Sequence, residues 1–402
     1  MTADDLQSAT ARERLLRLLS AATFLIFFQA YMIAPLLPAL ALEFGVSAQA
    51  VGLAIPAYLI PYGASTLAYG LLSDRLGRRR LVLASLLAFV ALLALTATAR
   101  SSTELIVWRL LAGVGASAVA PLSLVFVATQ YPYEQRGRPL GWLFGAMAGG
   151  MAFGSTTGAV LQPLIGWRAT FLVVAGLGAV VFVLLLPTRR MLGEVPDEAP
   201  PLRAMLHGYR ELLFSERGRR TYAYVLINAV FHSGVFTWLG LYFKQRFGLG
   251  EMGIGLALLG YGVPGFLFGP GIGKAADRWG RARVLPLGLL LSAAAGAALI
   301  GPLPLIGTAL IVTLLSLGYD MTQPMLAGIV TALGGKRPGQ AMGLNVFTLF
   351  VGFGVGSLVF GELVRGGFDV ALGSFGAVEL LAALAAFRLF RSERVASAPA
   401  AR

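Results

Sequence analysis

The apolar residues of this chain occur in long runs, separated by short stretches of polar and charged residues. Each run approaches the roughly 20 residues that an α-helix needs to cross a bilayer. Twelve runs begin roughly at positions 19, 51, 81, 104, 139, 169, 219, 251, 283, 304, 340 and 370. The pattern predicts an all-α polytopic membrane protein with twelve transmembrane helices.

Composition supports a membrane protein over a soluble one. Of the 402 residues, 57% are hydrophobic and 13% are charged, and the mean hydropathy is +0.77, whereas soluble domains carry about 25% charged residues. The 51 glycines suit close packing of helices in lipid. Because the chain has no cysteine, it has no disulfides and no thiolate metal sites.

The net charge of +13 could suggest a nucleic-acid partner, but its distribution indicates topology instead. With a cytoplasmic N-terminus, 26 of the 32 lysines and arginines lie on the inner side, five lie outside and Arg109 lies within a span. Such an excess is the positive-inside rule. We therefore expect a multi-pass protein of the cell (inner) membrane with both termini in the cytoplasm, and no nucleic-acid partner.

The sequence contains an internal repeat. A shift of 203 positions superimposes 52–80 on 255–283 with 11 identities in 29 positions, and a shift of 202 aligns four glycines from Gly137 to Gly154 with four from Gly339 to Gly356. The repeat predicts two pseudo-symmetric six-helix bundles, 1–187 and 219–402, joined by a cytoplasmic linker at 188–218. Transporters built from parallel repeats bind substrate near the bilayer midplane at the repeat interface.

Four motifs carry a resemblance to a known family. They are Gly70-Leu-Leu-Ser73-Asp74-Arg75-Leu-Gly77-Arg78 with its weaker copy Gly273 to Arg281, Arg109-Leu-Leu-Ala-Gly113-Val-Gly115, Gly166-Trp167-Arg168 with Phe171, and Leu37-Pro38 before Phe44-Gly45. The chain resembles the major facilitator superfamily over its whole length, in particular the twelve-span drug:proton antiporter branch. It departs from that branch in the fifth span, where Gly154 is followed by Ser155 and not by proline, which leaves the direction of transport open.

The resemblance implies a gate at the cytoplasmic ends of the helices. Asp74 would lie against the N-terminus of the eleventh span, where a carboxylate is favoured by the helix dipole, and would hold the cytoplasmic side shut. The expected gate residues are Gly70, Asp74, Arg75, Gly77, Arg78, Asp277, Arg278, Gly280 and Arg281. Alternatively, these charges only fix topology, although that reading does not explain an aspartate in both copies.

Polar residues inside the spans are candidates for proton coupling and substrate binding, because each costs at least ~2.5–3.5 kcal/mol to insert. The candidates are Asp320, His232, Arg109, Gln29 and Asn228, on helices that line the central cavity in the resembled family. Asp320 and His232 could bind and release protons near neutral pH. The alternatives are a static ion pair of Asp320 with Arg109, a packed His232, and a Gln29 that only bridges helices.

Counting residues along the helices places Gln29, Arg109, His232 and Asp320 in one layer near the bilayer midplane, and aromatic residues lie near the same layer. Phe28, Tyr31, Trp238 and Tyr319 could stack on a flat, apolar substrate or simply pack. Glu379 lies in the twelfth span, where we expect a helix–helix hydrogen bond from a protonated carboxyl group.

We therefore predict a secondary transporter and not an enzyme. No ATP-binding motif or metal-ligand cluster is evident, so we expect no cofactor and a proton gradient as the energy source. The favoured function is proton-coupled export of small amphipathic compounds by alternating access, performed by a monomer. The alternatives are a proton symporter or uniporter for a metabolite and, more distantly, a lipid scramblase or a membrane-embedded enzyme.

Overall fold

The computed structural model describes residues 3–131, 137–192, 202–335 and 338–393, and in these residues the chain is helical with no β-strand. The helices are α1 (Ala3–Met32), α2 (Leu37–Phe44), α3 (Ala48–Gly52), α4 (Pro56–Leu76), α5 (Arg78–Thr96), α6 (Ser102–Ala116), α7 (Val119–Gln130), α8 (Gly137–Leu185), α9 (Leu202–Phe214), α10 (Glu216–Phe247), α11 (Glu251–Ala257), α12 (Val263–Trp279), α13 (Arg281–Ala298), α14 (Leu305–Gly334), α15 (Pro338–Leu363) and α16 (Phe368–Leu389). Short 3₁₀ turns follow four of them, at Ala34–Leu36, Leu186–Leu192, Val364–Gly366 and Arg391–Glu393. The predicted all-α class is confirmed.

Ten helical stretches of the described residues are long and apolar enough to cross a membrane. One of them, Arg138–Arg189, contains both the fifth and the sixth predicted spans, which meet at the non-helical Gly166. The predicted eighth span is divided between α11 and α12, and the longer of these has only 17 residues. These two features account for the difference between the ten stretches and the twelve predicted transmembrane helices. The number twelve stays a prediction.

The chain forms two compact units. Unit 1 comprises Met1–Tyr209 and Leu239–Leu256, and unit 2 comprises Arg210–Trp238 and Ala257–Arg402. The boundaries between the units fall within α9, α10 and α11. The predicted division into 1–187, a linker at 188–218 and 219–402 therefore stays a prediction.

Glycines let helices approach closely in both units. On α8, Cβ atoms added at Gly150, Gly154 and Gly158 would lie 2.3–2.6 Å from backbone oxygens of α1. On α15, a Cβ atom at Gly356 would lie 2.1 Å from a backbone oxygen of α10, and one at Gly352 would meet the same helix. The glycine series that the sequence repeats is thus a helix-crossing surface in each unit, as expected for small residues spaced four apart in membrane helices.

The repeat is also visible in the backbone. Gly45 and Gly248 have φ angles of 64° and 66°, and Gly77 and Gly280 have φ angles of 83° and 80°. Each pair is related by the shift of 203 positions found in the sequence. Gly77 and Gly280 each precede the first residue of a helix, α5 and α13, and such positive φ angles are accessible to glycine at little cost.

Large apolar side chains remain exposed on helix surfaces within each unit. Ile306 and Leu381 in unit 2, and Leu164 in unit 1, are each more than 60% exposed. A soluble monomer rarely leaves such surfaces in water, whereas lipid tails cover them in a membrane protein.

A cluster of charges joins the two ends of unit 2's chain. Glu393 accepts two hydrogen bonds of 2.7 Å from Arg217 and one of 2.6 Å from Arg220, at the start of α10. Burial opposes ionisation of this carboxyl group, but the hydrogen bonds and positive charges of the two arginines outweigh it and hold the pKa of Glu393 below its ordinary value. The ion pairs fasten the turn after α16 to α10.

Candidate functional site

The polar cluster of unit 1 is centred on Arg109, on α6. Its side chain is 0% exposed, and its Nη1 donates to Oε1 of Gln29 on α1. Its Nε donates to the carbonyl oxygen of Ala54 at 3.3 Å, and its guanidinium lies 4.3 Å from the centre of the Tyr58 ring. The structure therefore brings together Gln29 and Arg109, which the sequence had placed only at a similar depth.

A break between α3 and α4 supplies the carbonyl group that Arg109 uses. In a continuous helix the amide of Tyr58 would bond to the carbonyl of Ala54, but here it bonds to Ile55 instead, and the amide of Ala57 bonds to Leu53. The Ala54 carbonyl is thus left for a side chain. The sequence repeat marked this segment, but hydrophobic periodicity does not reveal a break in a membrane helix.

Polar side chains of α10, α13 and α14 form a seam in unit 2. His232 is 1% exposed, its Nε2 lies 3.0 Å from Oγ of Ser292, and its ring centre lies 4.9 Å from that of Tyr319. Asn228 accepts a 3.0 Å hydrogen bond from Thr322. Its Nδ2 also lies 3.5 Å from Oε1 of Gln323.

Ser292, Thr322 and Gln323 were absent from the sequence-based candidates. Thr322 and Gln323 lie two and three residues after Asp320 along the chain, and their proximity to that residue was the available signal. Ser292 offered none, because a serine in a membrane helix commonly bonds its own backbone. The hydrogen-bond partners of Asn228 lie on α14, and that of His232 lies on α13, while the His232 ring also contacts α14 through Tyr319.

Asp320 lies beside the break in the eighth span. Its carboxylate contacts the backbone of Gly265, where an added Cβ atom would be 2.5 Å from Oδ1 and 2.9 Å from Oδ2. The hydroxyl of Ser316 lies 3.4 Å from Oδ2 and accepts a 2.8 Å hydrogen bond from the amide of Gly262. Asp320 is thus at the first turn of α12, where amide groups and the helix dipole favour a negative charge.

The predicted aromatic residues lie in different surroundings. Trp238 is 2% exposed, and its Nε1 donates to the carbonyl oxygen of Ser357 at 2.9 Å, so its indole ring is packed between helices. Phe28 lies on α1, where its backbone meets Gly154. Tyr31 is buried on the same helix, and the Tyr319 ring meets the His232 ring edge to face. A role for these rings in substrate binding stays a prediction.

Comparison with known proteins identifies the family. The family model described as Major Facilitator Superfamily matches residues 19–330 and 247–402. The chain belongs to the Major Facilitator Superfamily. It is therefore a multi-pass membrane transporter of small molecules and not an enzyme, as predicted.

Relatives and solved structures match most of the length of this facilitator. It is 26% identical to the uncharacterised transporter YceJ of Bacillus subtilis over 85% of this chain and 87% of the relative. It is 22% identical to Multidrug resistance protein 1 of the same organism, over 85% of this chain and 86% of the relative.

The fold is similar to that of a bacterial homologue of the human lysosomal transporter Spinster. The TM-score is 0.76 at 17% identity, covering 96% of this chain and 99% of the other. For a D-xylose–proton symporter the TM-score is 0.73 at 16% identity, covering 94% and 97%. At these identities the likeness shows the fold alone.

The signature loops of the facilitator, after the second and eighth predicted spans, are described only in part. Their two glycines, Gly77 and Gly280, have the positive φ angles given above. Arg78 lies 3.4 Å from the hydroxyl of Thr129 on α7, and Arg281 packs against Gly328 on α14, so the two repeat-equivalent arginines each contact another helix in their own unit. Arg75 and Arg278 are exposed.

The remaining signature residues are not described at the side-chain level. The side chains of Asp74 and Asp277, and the surroundings of Gly70, lie outside the described part of the chain. The predicted gate is therefore untested.

Two motifs that suggested the antiporter branch meet at one end of unit 1. Trp167 donates a 2.7 Å hydrogen bond to Glu43, and Arg168 forms an ion pair with the same carboxylate. Arg168 also donates to Ala99 at 2.8 Å, and the Phe44 ring lies 6.0 Å from that of Trp167. The facilitator's motifs before α3 and after Gly166 thus form one structural cluster.

Glu379 differs from its predicted environment. It is 0% exposed, and among the described residues neither of its carboxylate oxygens has a hydrogen-bond partner. The expected helix–helix hydrogen bond is therefore wrong for this part of the chain. The phenol of Tyr224 interacts with Glu379 electrostatically, but it donates its hydrogen to the carbonyl oxygen of Ala382 at 2.8 Å.

Proposed function

We propose that this facilitator is a proton-coupled exporter of small amphipathic compounds that works by alternating access, and that Asp320 carries the coupling proton. The observation that carries the proposal is a mostly buried carboxyl group beside a broken span, with no ion-pair partner among the described residues of unit 2. An unpaired carboxylate in this environment is costly, and proton uptake removes that cost.

The break in the eighth span supports a reversible proton site. A carboxylate there is favoured by the first turn of α12 and by the hydroxyl of Ser316, so its charged form is tolerated as well as its neutral form. Transporters commonly place coupling ions at discontinuous helices for this reason. A proton driven by 100 mV supplies ~2.3 kcal/mol, enough for a concentration ratio of roughly fifty-fold.

Export is supported by a relative named as a multidrug resistance protein that covers most of the chain. We further expect the transporter to act as a monomer without cofactors, in the inner membrane with both termini cytoplasmic. The distribution of lysine and arginine supports this orientation.

The test uses everted membrane vesicles with a respiration-driven pH gradient. A panel of lipophilic cations, neutral antibiotics, sugars and organic acids is added while fluorescence dequenching reports proton movement. We expect at least one compound to collapse the gradient with the wild type but not with Asp320→Asn. Asp369→Asn is the matched control, because Asp369 is exposed in the first turn of α16. Equal proton movement in Asp320→Asn and wild type would refute the assignment of Asp320.

Proton symport or facilitated uptake of a metabolite is the second candidate. It is favoured by the fifth span, where Ser155 follows Gly154 and the proline typical of the antiporter branch is absent. Right-side-out vesicles separate the two functions. Accumulation of a labelled sugar or organic acid on imposing an inward proton gradient would support symport, and accumulation without any gradient dependence would support a uniporter.

A further inference from the structure

The polar cluster of unit 1 contains buried hydrogen-bonding groups that are not satisfied. Nη2 of Arg109 lacks a hydrogen-bond partner among the described residues, and Nε2 of Gln29 is buried beside the Tyr58 hydroxyl, which is itself unsatisfied. Both side chains are 0% exposed, and they are held together by the bond between Arg109 and Oε1 of Gln29. Unused donors are rare in buried sites, because each one forfeits the hydrogen bonds that it makes in water.

The charge of the cluster is also incompletely balanced. Arg109 forms no ion pair within the described part of unit 1, and its contacts are an amide oxygen, a backbone carbonyl and the Tyr58 ring. These groups are neutral acceptors. A buried guanidinium without a counter-charge is strongly disfavoured, so the cluster lacks an anion as well as an acceptor.

We propose that Gln29 and Arg109 bind an anionic group, such as a carboxylate, of the transported compound. The planar guanidinium fork of Arg109 already uses Nε and Nη1, so Nη2 is the donor that remains for a carboxylate. A charge-assisted hydrogen bond from this nitrogen is stronger than a neutral one, and Nε2 of Gln29 supplies a further donor beside it. The Tyr58 ring, already packed on the guanidinium, fixes the direction of the fork. This inference rests on the proposed transport function and defines its substrates as amphipathic anions.

Other features of the cluster agree with a binding site. Gln29 and Arg109 lie on different helices, α1 and α6, and the Ala54 carbonyl lies in the break between α3 and α4. A ligand that bridges the two donors would therefore connect helices across a break in the second span. The cluster is closed in this structure, and ligand entry takes place when alternating access opens it.

The test measures binding to the full-length purified protein by isothermal titration at neutral pH, without a proton gradient. The probes are benzoate, benzamide and benzylammonium, which share a ring and differ in charge. We expect benzoate to bind and the other two to bind at least roughly tenfold more weakly, since charge-assisted hydrogen bonds carry the discrimination. Equal binding of the three probes, or no binding of benzoate, would overturn the proposal.

Substitutions of Arg109 test whether this residue binds the anion. Arg109→Gln should weaken benzoate binding by roughly ten- to hundredfold, and Arg109→Lys, which keeps the charge but loses the fork, should give a smaller loss. Arg168→Lys is the matched control, because Arg168 also stacks on an aromatic ring but its donors already bind Glu43 and Ala99. Benzoate affinity that is unchanged in Arg109→Lys and Arg109→Gln would contradict the assignment.

The variant Gln29→Glu distinguishes loss of the anion site from loss of folding. Gln29→Glu is nearly isosteric and supplies the missing carboxylate from within the chain. It should raise the thermal stability of the protein and abolish benzoate binding. A protein that is less stable and binds benzoate normally would count against the site.

One control distinguishes a substrate anion from an inorganic anion. A second control distinguishes the anion-site proposal from the proton-coupling proposal. Sodium chloride is titrated in place of benzoate. If chloride binds with equal or greater affinity and competes with benzoate, the cluster is an inorganic-anion site and not a substrate site. Asp320→Asn should keep benzoate binding, so a failure of proton coupling in vesicles and a failure of anion binding in solution can be told apart.

Discussion

Replacing Gly265 with alanine would place a methyl group against the carboxylate of Asp320. The added Cβ atom would lie 2.5 Å from Oδ1 and 2.9 Å from Oδ2, whereas a carbon–oxygen contact is normally about 3.3–3.6 Å. The carboxyl group must therefore move by about 1 Å. Its 3.4 Å contact with Ser316 is already at the limit of a hydrogen bond, and a displacement away from Ser316 would break it.

The energetic consequence of this substitution has two parts. Overpacking in a close-packed site costs about 1–3 kcal/mol, and alanine recovers roughly 0.5–1 kcal/mol through its higher helix propensity. The protein should therefore be only moderately less stable and should still insert. Because proton transfer depends on position, a 1 Å displacement could reduce coupling by as much as about a hundredfold.

Gly271→Ala provides the matched control on the same helix. A Cβ atom at Gly271 meets nothing within 4 Å, so this variant gains helix propensity without any collision. Both variants are assayed in everted vesicles with a substrate that collapses the pH gradient of the wild type. We expect Gly265→Ala to resemble Asp320→Asn and Gly271→Ala to resemble the wild type. Proton movement of wild-type size in Gly265→Ala would refute the view that the position of Asp320 on α12 matters for coupling.

Two further substitutions test contacts outside the coupling site. Glu393→Gln should lower the stability of the protein by about 1–2 kcal/mol at neutral pH, since the carboxyl group bonds two arginines but one of them is partly exposed. The folded-state pKa of Glu393 is lowered, so this stabilisation exists above the ordinary pKa of a glutamate and is lost as the pH falls through the folded-state value. Thermal unfolding should therefore separate wild type and variant at pH 7 and bring them together in acid, whereas Glu362→Gln, at an exposed ion pair, should stay within about 0.5 kcal/mol throughout; a difference that persists in acid would contradict the ion-pair explanation. Trp167→Phe should cost about 1–2 kcal/mol by removing the hydrogen bond to Glu43 while keeping the edge-to-face ring contact with Phe44, and an unchanged melting temperature would show that this bond does not hold the loops together.

The sequence predicted the repeated features of the fold because they depend on glycine. Gly77 and Gly280 require positive φ angles, and Gly154 and Gly356 require close helix approach, so both pairs survive as identities that a shift of the sequence reveals. The twelve apolar runs were recognisable for a similar reason, since every span must satisfy the same hydrophobic thickness.

The details of the polar clusters could not be predicted in the same way. Hydrophobic runs do not reveal the break before α12, because Tyr261 and Gly262 are as acceptable in a continuous span as at its interruption. The depth of a residue along its helix follows from counting, and this placed Gln29 near Arg109. Which side chain bonds to which depends on helix rotation, and the sequence therefore could not separate the partners of Asn228 from those of His232.

The paired glycines at positions 77 and 280 have a consequence for how such a chain could have arisen. In an assembly of two identical six-helix chains, every substitution occurs twice, so a cation introduced at one helix break is necessarily introduced at the other. Fusion into one polypeptide removes that constraint. Here the turns are duplicated, but the position equivalent to Asp320 is Ser117 and the position equivalent to Arg109 is Val312. The two copies of the repeat have kept the same backbone turns while their charges have diverged, which gives one copy a basic centre and the other an acidic one.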